Sequence, residues 1–137
     1  MAKIVLGNAY AAVASNNLSG YIESVEISEE VDLQEATVMG DAAKRRLAGL
    51  KDWTLTLNFR QDVAGSAIDS ILHPLFGTEV TVEIRAVNTT VGSDNPKFTG
   101  SGILSSYQPV GGSVGQTHNG KAVINCSNGA ALTRATS

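Results

Sequence analysis

Residues 53–60 alternate without a break: Trp53, Leu55, Leu57 and Phe59 fall on one side of an extended chain, and Thr54, Thr56, Asn58 and Arg60 on the other. Successive strand side chains point to opposite faces, so this run buries its apolar set only as a central, half-buried strand. Each of those four side chains contributes about 1.5–3 kcal/mol on full burial, which makes the run the spine of the core. The same alternation recurs in Val80, Val82 and Ile84 against Thr81, Glu83 and Arg85, and in Val25 and Ile27 around Glu26. Further strands are predicted over Lys3 to Leu6, Tyr10 to Ala14, Thr37 to Met39, Phe98 to Tyr107 and Lys121 to Cys126. Asn119-Gly120 reads as a type I′ hairpin pair, because both residues tolerate positive φ.

One helix interrupts the strands. Ser66 is a good N-cap, Asp69 meets the positive helix end, and Ile68, Ile71, Leu72 and Leu75 form one apolar stripe. Pro74 lacks an N–H and holds the helix to about two turns. Strands, one short helix, then more strands predict a mainly β fold, a β-sandwich or partly closed barrel with the helix on one flank. At 137 residues, with no linker or internal repeat, the chain is read as a single domain over 1–137. The predicted core is Trp53, Leu55, Leu57, Phe59, Ile68, Ile71, Leu72, Val80, Val82 and Ile84.

Composition narrows the function. A net charge of −3 lacks the phosphate attraction that drives nucleic-acid binding. Cys126 is the chain's lone cysteine, which rules out an internal disulfide and fits assembly in a reducing cytoplasm. Lys3, the apolar run Ile4 to Ala14 and Ala12-Val13-Ala14 sketch a secretory leader, but Gly7, Asn8 and Tyr10 interrupt the run. No stretch approaches the roughly 20 apolar residues of a spanning helix, so no membrane partner is expected.

Candidate chemical sites fail where their chemistry lies. Gly115 to Ala122 nearly matches a phosphate-binding loop, but Ala122 has no hydroxyl for Mg²⁺ and a strand follows where a helix is needed. Asp69 and His73 lie four apart, yet two ligands make no metal site. Gly100-Ser101-Gly102 reads as a strand that needs close backbone approach. No catalytic residue, cofactor or metal is assigned, and an enzyme is not expected.

Charge is more informative. Of 13 acidic residues, six fall between Glu23 and Glu35, and of ten basic ones, four fall between Lys44 and Lys51. Two solvated loops are one reading. The sharper one has the acidic segment of one subunit meeting the basic segment of the next, a head-to-tail contact that propagates. The candidate interface is then Glu29, Glu30, Val31, Asp32, Leu33, Lys44, Arg45, Arg46 and Leu47, with Leu50 adding apolar area.

Four stretches carry a family likeness: Leu18-Ser-Gly-Tyr-Ile-Glu-Ser-Val25, Val38-Met-Gly-Asp-Ala-Ala-Lys-Arg-Arg-Leu-Ala-Gly-Leu-Lys-Asp52, Asn58-Phe-Arg-Gln-Asp62 and Asn95-Pro-Lys-Phe-Thr-Gly100. With the Pro74-Leu75-Phe76-Gly77 helix exit and the closing Thr133-Arg-Ala-Thr136, they make the sequence resemble the tail-tube proteins of long-tailed, non-contractile phages, particularly the short forms of actinobacteriophages. The resemblance implies a β-sandwich with a flanking helix, stacked as hexameric rings into a hollow virion tail through which the genome passes. It also implies a long loop at about Ser28 to Asp52 that reaches neighbouring subunits. The implied partners are further copies of the chain and tape-measure, tail-tip and tail-terminator proteins, with DNA crossing the lumen unbound. The alternatives are the inner tube of a contractile injection or type VI secretion system, and a monomeric β-sandwich binding module on the virion.

Overall fold

The computed structural model describes residues 9–65, 67–127 and 129–136. The alternating run is the inner half of a longer strand, β4 (Arg46–Arg60), which pairs antiparallel with β3 (Ile22–Glu35) on one side and β7 (Asn119–Cys126) on the other. Beyond β7 lie β6 (Lys97–Gln108), β5 (Glu79–Arg85), β1 (Tyr10–Val13) and the two-residue β2 (Asn16–Asn17), while β8 (Thr133–Ala135) joins the start of β6. The protein is mainly β with one short helix, as its strand pattern implies. Among the described residues the strands make a single antiparallel sheet in the order β2-β1-β5-β6-β7-β4-β3, not closed into a barrel. The physical reason is β6, whose residues 97–103 pair with β5 and whose residues 102–108 pair with β7. One long strand thus changes partners midway and joins what would otherwise be two layers.

Trp53, Leu55, Leu57 and Phe59 are all buried, together with Leu104, Ala122, Ile124, Val80, Val82 and Ile84 from the neighbouring strands. Trp53 reaches across β7 onto β6, where a Cβ on Gly100 would sit 2.8 Å from its Cζ2 and one on Gly102 3.0 Å from its Cη2. The close approach read from Gly100-Ser101-Gly102 therefore accommodates an indole, whose Nε1 finds no hydrogen-bond partner among the described residues.

Gly120 plays the same part for Phe59. It stands opposite Phe59 inside β7, without positive φ, and a Cβ there would come 2.3 Å from the ring's Cε2. This corrects the hairpin assigned to Asn119-Gly120; the β6–β7 connection is the loop 109–118, where Gly112 and Gly115 carry the positive φ. The tight two-residue hairpin lies instead at Ala14-Ser15 between β1 and β2, with φ of 51° and 68°. Thr37 to Met39 is also not a strand but part of the turn between β3 and β4. The strand expected at Lys3 to Leu6 and the Ser66 cap fall outside the described residues.

Helix α1 (Ile68–Leu72) runs into a 3-10 turn, His73–Leu75, that contains Pro74. Ile68 and Leu72 are buried, with Ile71 and Leu75 packed against the core at partial exposure. A bulge in β6 docks this helix. Leu104 pairs with Ile124 but Ser106 with Val123, so Ser105 is an extra residue and Tyr107 turns to the core side opposite Ala122. Its ring stacks on Phe59 at 6.4 Å, and its hydroxyl donates to Asp69 on α1 while accepting from Gln61 Nε2 at 3.0 Å. Burial, then the Asp69 hydrogen bond, push the Tyr107 hydroxyl up to about 12.

These contacts yield three expectations. Trp53→Ala costs the unassembled protein about 3–5 kcal/mol, as large core truncations do, and Gly102→Val destabilises it too; both are checked by chemical denaturation. Ala14→Asn with Ser15→Gly stabilises by about 1–2 kcal/mol, because left-handed backbone costs about that much per ordinary residue. The raised Tyr107 pKa means that the folded state holds this proton more tightly than the unfolded chain. Its contribution is complete below the ordinary value of 10.0 and is lost between there and about 12. Alkaline melts of Tyr107→Phe should therefore fall less steeply across that window than those of the unaltered protein.

Candidate assembly surface

Residues 28–52, expected as a long loop, are mostly strand. β3 and β4 stay paired from Glu29↔Trp53 through Val31↔Lys51 to Glu35↔Arg46, and only 36–45 form the connecting turn. Trp53 is the last buried residue on this path, and Arg46 through Asp52 are all exposed. At about 3.3 Å per residue, the ribbon extends roughly 23 Å past Trp53. It is an arm with both faces in solvent, a form that is marginal in isolation.

Alternation sorts the arm's side chains. Val31, Leu33, Glu29 and Glu35 share one face with Lys51, Ala48 and Arg46. Glu26, Glu30 and Gln34 share the other with Thr56, Asp52 and Leu47. At the register shift between Val31 and Leu33, Gly49 lies against Asp32 and Gln34 on this second face. Glu30 and Asp52 stand directly opposite each other, a like-charge pairing that costs stability in an isolated ribbon. The acidic and basic segments therefore meet first across one arm. Lys44 lies 3.8 Å from Glu35, and Arg45 lies 2.8 Å from Asp41. Arg46 and Lys51 form no ion pair among the described residues.

Apolar side chains stand out along the arm: Leu33 is 57% exposed, Leu47 60%, Leu50 86% and Met39 fully so. Val38 and Met39 form the tip, which reasoning from sequence read as a strand, and the turn behind them is closed. The Asp41 carboxylate accepts from the Val38 N–H at 3.0 Å and from Arg45 Nη2 at 2.8 Å, while Thr37 Oγ1 accepts from the Arg45 N–H at 2.9 Å. Gly40 supplies the left-handed residue at φ 97°. Gly40-Asp41 was the available turn signal, hidden by the Thr-Val-Met run ahead of it.

At the opposite end of β4, β6 and β7 lies the 109–118 loop, with Val110 and Val114 exposed. Between the two ends, the solvent-facing side of β4, β6 and β7 is a polar ladder. Thr54 Oγ1 donates to Asn125 Oδ1 at 3.1 Å, and Asn125 Nδ2 donates to Ser105 Oγ at 2.6 Å. Asn58 Nδ2 donates to Ser24 Oγ at 3.0 Å, extending it onto β3.

The stretch that nearly matches a phosphate-binding loop divides between the 109–118 loop and β7. Asp69 is engaged by Tyr107, against whose ring edge His73 packs at 6.4 Å. Among the described residues no three His, Cys, Asp or Glu side chains cluster as metal ligands.

No protein-family model and no curated protein matches the chain. Solved structures do match it in shape. A chain of the virion of a native gene transfer agent particle superposes with a TM-score of 0.72 at 12% identity, covering 93% of this chain and 95% of that one. A chain from the tail of an empty gene transfer agent particle, refined helically with C6 symmetry, gives 0.66 at 10% identity over 92% of each. A chain of the six-fold symmetrised anti-feeding prophage baseplate gives 0.61 at 11% identity, over 98% of this chain and 97% of that one. This chain has the fold of these tail and baseplate components across nearly its whole described length.

Proposed function

We propose that this chain is a structural virion protein that polymerises into stacked hexameric rings and so forms a tail tube, the conduit for genome delivery. The observation that carries the reading is the near full-length likeness to a chain in a helical tail of C6 symmetry, which fits repeated self-association better than a free-standing module. The arm supports it: a roughly 23 Å ribbon with exposed leucines and opposed carboxylates gains most when another surface covers it. Its two faces are electrically unlike. One carries Glu26, Glu30, Asp32 and Asp52, and the other carries Glu29 and Glu35 beside Lys51 and Arg46, which form no ion pair among the described residues, so only this second face offers cations to the acidic face of a successive copy, head to tail.

The polar ladder suits the lumen. Serine, threonine, asparagine and the Glu26 and Glu30 carboxylates outweigh the cations on this face of β4 and β7, where Arg60 is held by Glu23 at 2.9 Å and Lys121, opposite Asn58, stands exposed, so a passing phosphate chain finds little to grip. In this reading the chain is not an enzyme. It acts in the virion tail with tape-measure, tail-tip and tail-terminator proteins as partners, and DNA crosses the lumen unbound. The likeness to a chain of the six-fold symmetrised anti-feeding prophage baseplate leaves room for a second reading, the inner tube of a contractile injection or type VI secretion system. A sheath gene beside the tube gene would favour it.

Negative-stain microscopy at rising protein concentration, with tail-tip components as nucleators, tests the reading. Hollow rods are the expected outcome, and a persistent monomer under nucleation counts against it. Arg46→Glu with Lys51→Glu should leave the melting temperature of the unassembled protein within a few degrees and stop rod formation. Rods of normal length from that variant would remove those two cations from the interface.

A further inference from the structure

The arm ends in an apolar pair held by a closed set of polar contacts that contribute nothing to the core. Met39 is 103% and Val38 60% exposed, so most of the pair's apolar surface is left uncovered by its own chain. Behind them both Asp41 carboxylate oxygens are occupied, one by the Val38 N–H and one by Arg45, and Thr37 Oγ1 holds the Arg45 N–H. The Asp41 side chain is only 15% exposed. Ordering a turn that buries no apolar surface costs conformational entropy with little return in the monomer. Such ordering is useful when a partner meets the turn, because the binding event then no longer bears that cost.

The matching surface lies at the other end of the same sheet. The 109–118 loop contains no Lys, Arg, Asp or Glu, and it presents Val114 at 105% exposure and Val110 at 73%. Its base is tied as the tip's is, by the Asn119 N–H to the Gly111 carbonyl at 3.0 Å and the Gln116 N–H to the Ser113 carbonyl at 2.9 Å. Asp41 pairs with Arg45 and Lys44 with Glu35, so the charges behind Val38 and Met39 balance, and a tip of no net charge faces a loop without Lys, Arg, Asp or Glu. Two unlike patches at opposite ends of one subunit define a contact that repeats along an axis.

We infer that Thr37, Asp41 and Arg45 form an intrachain latch that presents Val38 and Met39 as a knob, and that this knob docks on the 109–118 loop of a second copy of the chain. Arg45 is then a positioning residue, not an ion-pair partner across the interface. The inference rests on the tube reading.

The test measures the critical concentration for rod formation by sedimentation, with thermal melting of each unassembled variant. Arg45→Glu and Thr37→Val should each raise it by on the order of tenfold, the scale of re-ordering one or two groups at an interface, while Arg45→Lys stays near the unaltered protein. An interfacial ion pair would make Thr37→Val silent, and that result with Arg45→Glu inactive overturns the latch. In a Cys126→Ser background, Met39→Cys with Val114→Cys should give a ladder of disulfide-linked oligomers on oxidation, and rods without a ladder overturn the docking site. An unaltered protein that forms no rods even with nucleators defeats the tube reading beneath both, whereas rods unaffected by every latch variant defeat the latch alone.

Discussion

The arm depends on where β4 stops being part of the core, and one contact sets that point. Trp53 lies across β7 onto the bare backbone of Gly100 and Gly102, with no room for a Cβ between. On one side of it β4 alternates buried and half-exposed residues; on the other every residue of the strand is exposed. The indole clamps β4 to β6 at the margin of the body, and Glu29, paired with Trp53, marks the same margin on β3. Without that clamp the last core layer opens and the arm has no rigid base from which to project.

Rigidity at the base gives meaning to chemistry further out. Cross-strand pairing turns two oppositely charged stretches of sequence into the two strands of one ribbon, so part of their attraction is spent within the chain at Lys44–Glu35, while Arg45 is taken up by Asp41 inside the turn. Exposed pairs of this kind add little stability, so their value lies in geometry. What remains uncompensated, acids alone on one face and two unpaired cations among acids on the other, is left for a neighbour.

The helix depends on a similar local irregularity. An unbroken β6 would point Tyr107 away from the core, and the extra residue Ser105 brings it round to Phe59, Gln61 and Asp69. One bulge thereby couples the sheet's register to the seating of α1. Gln61 was the part least visible beforehand, since a lone glutamine after a strand carries no pattern; its role exists only because Tyr107 and the Pro109 carbonyl arrive from 46 and 48 residues away.

The alternation at Trp53 to Phe59, at Val80 to Ile84 and at Val25 to Ile27 determined the strands by itself, because a period of two with one apolar set allows a single way to bury it. The short helix was legible from the helical spacing of Ile68, Ile71, Leu72 and Leu75, and its exit from Pro74. Register and partners were not local properties. Asn119-Gly120 has the composition of a turn, yet tertiary structure uses that glycine for the space under Phe59, and the tight turn went to Ala14-Ser15. The family resemblance implied a loop over residues 28–52, and an arm solvated on both faces offers no consistent apolar alternation to say otherwise; its strand character comes from pairing across the hairpin. Likewise the sequence contained the charges of the candidate interface, but only the fold decided which of them meet each other and which are left facing outward, since that choice depends on a bulge and a register that no single stretch encodes.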